Sequence, residues 1–86
     1  MKQLAFILIQ NQVGRSDDIV TELRYLAGIK SAQFVTGKYD VIAIAELPSL
    51  TDLKPLIGKI HGINGIVNTS TCLAIDNSLV MDNTFT

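Results

Sequence analysis

The sequence predicts an α+β domain whose strands and helices follow the order β-α-β-β-α-β. Three observations lead there. Apolar runs with the length and the Ile, Val and Ala content of strands open near residues 4, 41 and 66. Two stretches with apolar residues at helical spacing, roughly 16–27 and 50–60, lie between them. The two middle strands meet at Gly37 across an interval so short that only an antiparallel hairpin can form.

The first strand runs from Leu4 to Gln10, and "NQVGR" turns the chain. Ser16 fits an N-cap, with Asp17 and Asp18 in the first turn, where carboxylates favour the helix dipole. Ile19, Val20, Leu23, Leu26 and Ala27 give the apolar face of a helix from Ser16 to Ala27, and Gly28 stands where a C-terminal cap belongs. Residues 29–37 and 40–47 form the hairpin strands. Pro48 and Ser49 end the second of these and begin another helix, with Leu50, Leu53, Leu56, Ile57 and Ile60 on one side. Pro55 cannot sit deep inside a regular helix, so the helix starts late, near Thr51 or Asp52, or bends. "HGING" (61–65) breaks it, and Ile66 to Asp76 is the last strand.

This order defines the ferredoxin-like split arrangement, a four-stranded antiparallel sheet with both helices on one face. A strand with one wet face alternates apolar with polar. The first strand does not: Leu4, Phe6 and Leu8 are apolar on one side, Ala5, Ile7 and Ile9 on the other. Val41, Ala43 and Ala45 against Ile42 and Ile44 repeat the pattern. Helices can cover only one face, so the other is expected to meet the sheet of a second subunit, giving a face-to-face dimer.

Composition narrows the classes. Eighty-six residues make one domain, read as residues 1–76, with a tail at 77–86 whose one apolar cluster is "LVM" (79–81). A chain this short buries roughly 60% of its unfolded surface. Yet 48% of its residues are hydrophobic, which again favours self-association. Net charge is −1, and the seven Lys and Arg are scattered without a basic stripe, which argues against nucleic acid and anionic membrane as direct partners. The run Leu4–Ile9 is too short to span a bilayer and lacks a signal-peptide cleavage site, so a cytoplasmic protein is expected.

Few residues offer chemistry. "NTST" (68–71) sets Thr69 and Thr71 on one side of the last strand, either as a half-exposed edge or as hydroxyls for a ligand. Asp40 is either a turn acid bonding backbone amides or the partner of an ammonium group. Tyr39 reads as a half-buried packing residue, Lys38 as a solvated one, and Cys72 as a small buried hydrophobe. His61 ends a helix with no second His or Cys beside it, so neither a metal site nor a catalytic set is expected, and no cofactor motif occurs.

Residues 27–47, "AGIKSAQFVTGKYDVIAIAEL", followed after one helix by "INGIVNTSTCLAI" (63–75), resemble the effector-binding (RAM) domain of Lrp/AsnC transcription regulators. The shared signature is V-T-G-x-Y-D, then an apolar strand, a helix and G-[VI]-x-x-T-x-T. It is met by Gly37, Tyr39, Asp40, Gly65, Thr69 and Thr71. Asn64-Gly65-Ile66 replaces the usual Pro-Gly-Val. Met1 stands almost on the first strand, so the chain reads as a stand-alone domain without a helix-turn-helix. The resemblance implies a dimeric α+β barrel, assembly into rings of dimers, and an amino acid bound between dimers by Gly37, Tyr39, Asp40, Thr69 and Thr71. Full-length Lrp/AsnC regulators are expected partners, and DNA is not. Two alternatives remain open: a monooxygenase-like enzyme on the same barrel, with Asn68 as its one candidate strand residue, and a structural partner of full-length regulators.

Overall fold

A computed structural model describes residues 2–75. Strand β1 (Gln3–Asn11) leads to helix α1 (Ser16–Arg24), then to strands β2 (Ile29–Phe34) and β3 (Val41–Leu47). A 3-10 turn at Leu50–Asp52 precedes helix α2 (Leu53–His61), and β4 (Ile66–Leu73) closes the order. The sheet is antiparallel with strand order β2-β3-β1-β4, the ferredoxin-like arrangement. The expected continuation of the last strand to Asp76, and the tail with its Leu-Val-Met cluster, lie outside the described residues.

Register fixes which side chains share a face. Ala5, Ile7 and Ile9 pair with Ala45, Ala43 and Val41, and all six are fully buried beneath the helices. Ile19, Val20 and Leu23 from α1 and Leu56 and Ile60 from α2 complete this core. The opposite face carries Leu8 against Ile42 and Phe6 against Ile44, with Phe6 still 36% exposed. Both faces of β1 and β3 are therefore apolar, and only one is covered within the subunit. At one end of the open face Glu46 holds Lys2 at 3.2 Å and Lys30 at 3.7 Å. The Lys2 hydrogen bond, with help from the charges of Lys2 and Lys30, keeps the Glu46 carboxyl below its ordinary range against a smaller opposing desolvation. At the other end Asn68 donates to Gln10 (3.3 Å), and Gln10 donates to the Lys38 carbonyl (3.0 Å).

Several local expectations are corrected. Helix α1 stops at Arg24 rather than Ala27. Its end tightens through Tyr25 N–H to the Glu22 carbonyl and Leu26 N–H to the Leu23 carbonyl, while Arg24 donates to the Ala32 carbonyl of β2 at 3.0 Å. Ser16 is the first helical residue and not the cap; its hydroxyl accepts from the Asn11 side chain at 3.1 Å. The hairpin strands end at Phe34 and begin at Val41, leaving 35–40 as a longer connection than the residue 37 junction implied. Cys72 is exposed, because it lies opposite Phe6 on the open face.

The late start of α2 agrees with the structure. Ser49 and Asp52 form a capping box, with the Ser49 amide donating to the Asp52 carboxylate at 3.2 Å. Pro55 then falls in the first turn of α2, where a missing N–H removes no intrahelical bond. The core is the testable part of this description. Ile7→Ala should lower the unfolding free energy by about 2–5 kcal/mol in urea titrations at fixed protein concentration, since the central strand cannot collapse onto the void.

Candidate functional site

The Gly37 turn, the segment after β1 and the Gly65 turn meet at one end of the sheet. Asp40 ties them together. Its amide donates to the Ile9 carbonyl at 2.8 Å, and its own carbonyl accepts from Val35 at 3.0 Å. One residue earlier the chain leaves the sheet, so no β3 carbonyl faces the amide of Asn11. The Asp40 carboxylate fills that place, with Oδ2 accepting from Asn11 N–H at 2.8 Å. The backbone-bonding role expected of this acid is real, but its donor is Asn11 and not the Gly37 turn. Oδ1 has no partner among the described residues.

The rest of the turn is open. Gly37 has φ +109°, a backbone shape L-residues rarely adopt, and is exposed with nothing close to where a Cβ would stand. Tyr39 is half-buried, and the Lys38 ammonium lies 5.9 Å from its ring centroid.

Across β1, on the β4 side, Gln12 N–H donates to the Gly65 carbonyl at 2.8 Å. Arg15 lies over Gly65, bonded to the Asn64 carbonyl (3.3 Å) and paired with Asp18 (3.2 Å). Gly65 has φ +102°, and a Cβ there would stand 3.0 Å from Arg15 Nε. The glycine of the second signature therefore makes room for an arginine. Two buried polar atoms in this cluster lack a hydrogen-bond partner, Arg15 Nε and Asn11 Oδ1. The Asn11 amide nitrogen is spent on the Gln12 carbonyl (2.9 Å) and Ser16 Oγ (3.1 Å), so a flipped amide would set two oxygens against each other.

Thr69 and Thr71 do share a side, opposite Ile9 and Ile7 on the helix face of β4. Thr69 Oγ1 is already engaged, 2.8 Å from His61 Nε2, beside a cavity of about 270 Å³ lined by His61, Ile66, Val67, Asn68 and Thr69. The five expected residues thus fall into two groups separated by β1: Gly37, Tyr39 and Asp40 at the sheet end, Thr69 and Thr71 on the edge strand. Two larger cavities, of about 440 Å³ near Leu47 and about 460 Å³ between the helices, contain none of the five. Sequence reading did not find Asn11, Arg15 or the His61 contact, for Asp40, Asn64 and Thr69, which they meet, belong to other elements of the fold. Among the described residues there is no cluster of His, Cys, Asp and Glu able to hold a metal, and no helix is long and apolar enough to cross a membrane.

A ferredoxin-like sheet with a polar pinch at one end and an uncovered apolar face describes a small ligand-binding domain. The chain belongs to the Lrp/AsnC ligand binding domain family, whose model matches residues 4–83. Among solved structures it is similar to PHS023 from Pyrococcus horikoshii, at 34% identity over 88% of this chain and 93% of that one, with a TM-score of 0.81. FFRP-DM1 is 35% identical over 85% of this chain and 99% of its own, with a TM-score of 0.80. The transcriptional regulator NMB0573 from Neisseria meningitidis, solved as an L-Met complex, shares the fold at 14% identity and a TM-score of 0.80. That match covers 91% of this chain and 53% of the regulator. Comparison with curated protein sequences gives no match.

The Arg15–Gly65 contact is directly testable. Gly65→Ala forces both a strained φ and a displaced arginine, and should cost about 1–3 kcal/mol in chemical denaturation. Combining it with Arg15→Ala should recover the steric part of that loss and leave the backbone part.

Proposed function

We propose that the chain is an amino-acid-sensing module, which binds its effector at a boundary between subunits and so biases assembly or the engagement of partner regulators. Membership of the Lrp/AsnC ligand binding domain family carries this reading. The local geometry supports it: Asp40 is fixed through one oxygen and offers the other, a suitable arrangement for an ammonium group. The open amide turn at Gly37 suits a carboxylate, and Tyr39 borders it. Thr69 and Thr71 lie on the far side of β1, so their hydroxyls would reach the same effector from a neighbouring subunit. The protein acts in the cytoplasm as a homodimer that forms rings of dimers or co-assembles with full-length regulators.

Dimerisation rests on the open sheet face. Two such faces packed together bury Phe6, Leu8, Ile42 and Ile44, at roughly 25 cal/mol for each Å² removed from water. Light scattering at micromolar concentration should give at least two subunits, and Phe6→Glu combined with Ile44→Glu should give monomers. A wild-type monomer would overturn the barrel.

Sensing is tested by a thermal-shift screen of the twenty amino acids, in which a few should stabilise the protein by mass action. Asp40→Asn should then weaken the best of them by about 1.5–3 kcal/mol, the scale of a charge-assisted hydrogen bond. A screen without any response sinks the proposal.

A further inference from the structure

We infer that His61 is a specificity-determining residue for the effector's side chain. With Thr69 it forms a hydrogen-bonding subsite that selects amino acids with polar side chains over apolar ones. The inference rests on the proposed sensing role and adds a residue that lies outside both signature motifs.

Three observations lead to it. First, one contact and one cavity bring the groups together. His61 Nε2 lies 2.8 Å from Thr69 Oγ1, and both residues line the cavity of about 270 Å³ at the end of α2. Ile66, Val67 and Asn68 complete the wall, so three of the five lining residues carry hydrogen-bonding side chains and none is an acid. Sites that enclose a drug-sized molecule span roughly 300–1,000 Å³. This space falls short of that range and suits a single side chain.

Second, the cavity lies where β4 has backbone groups to offer. Strand side chains alternate between faces, so a space touching both Asn68 and Thr69 runs along the edge of the strand. β4 is the last strand of the sheet, with β1 on one side and no strand on the other. Ala74 N–H bonds the Leu4 carbonyl, which turns the amides and carbonyls of alternate residues, Cys72, Ser70 and Asn68, toward β1. The amide and carbonyl of Thr69 point the other way, to the free edge. One residue thus offers a donor, an acceptor and a hydroxyl around the same space.

Third, the His61–Thr69 contact contributes little to the fold and keeps capacity in reserve. It is exposed to solvent, where water competes for the bond. An imidazole with one nitrogen engaged keeps the other for a second partner, and a hydroxyl can serve both as donor and as acceptor. An apolar side chain entering the cavity would strip water from these groups and replace none of its bonds. A polar side chain would replace them.

Calorimetric titration tests this on the wild type, His61→Phe, His61→Ala, His61→Gln and Thr69→Val, with thermal unfolding of every variant. The tightest-binding of the twenty amino acids is compared with its nearest apolar isostere, such as Leu for Asn or Met for Gln. Wild type should prefer the polar member by about tenfold or more, the discrimination a hydrogen-bonding site exerts against an analogue that leaves it unpaired. His61→Phe and Thr69→Val should bring the ratio close to one, while His61→Gln retains most of it. A purely structural role for His61 would weaken both ligands alike and leave the ratio unchanged. That result overturns the inference, as does a best ligand whose side chain is apolar or absent, and in both cases the sensing role stands. Should His61→Phe fail to fold, His61→Ala is judged by the same ratio. Absence of binding by all twenty amino acids removes the sensing role and this inference together.

Discussion

Strand β1 is the constraint on which the rest of the molecule depends. It lies between β3 and β4, and it is apolar on both faces. Its inward residues, Ala5, Ile7 and Ile9, fix where the helices pack. Its outward residues, Phe6 and Leu8, leave a hydrophobic surface that helices on the other side cannot reach. Its far end supplies the Ile9 carbonyl and the Asn11 amide to Asp40, and the next residue gives its amide to Gly65. Core, open face and polar cluster are three consequences of one short run of sequence.

The parts legible in the sequence are those written in local periodicity. Helical spacing, the helix start after Pro48 and Ser49, the Pro55 argument and the double-sided apolar pattern of two strands each depend on neighbours a few residues apart. Tertiary contacts were not legible. Helix α1 ends early, where Arg24 finds the Ala32 carbonyl and the last turn tightens, although the apolar period continues to Ala27. The expected Ser16 cap falls one position out, for Ser16 is already helical and Arg15 stands at the cap, while the Ser16 hydroxyl accepts from the Asn11 side chain. Cys72 looks like a core residue by composition, but register sets it beside Phe6 on the open face. At the candidate site the motif residues were readable. The groups that hold or occupy them, Asn11 for Asp40, Arg15 over Gly65 and His61 on Thr69, come from other elements and form no sequence pattern.

The two ends of the open face differ in chemistry. One is bounded by charges, with Glu46 between Lys2 and Lys30; the other by amide side chains, Asn68 to Gln10 and onward to the Lys38 carbonyl. Rim charges contribute more to orientation and partner discrimination than to affinity. An apolar centre that any hydrophobic sheet could cover is thereby given a direction, and like charges would oppose each other if two faces met in the wrong sense.

The irregularity where β4 joins β1 has its own consequence. Gln10 pairs with Asn68, but the next residue, Asn11, pairs with Ile66, so Val67 is an extra residue in β4. A strand side chain changes face with every residue, and this insertion reverses the alternation once. It lets Ile66 pack against the helix-side core while Asn68 faces the open side. A homologue lacking this extra residue would pair its isoleucine with the same position of β1 by ordinary alternation, so the bulge lengthens β4 without moving its isoleucine or its threonines to another face.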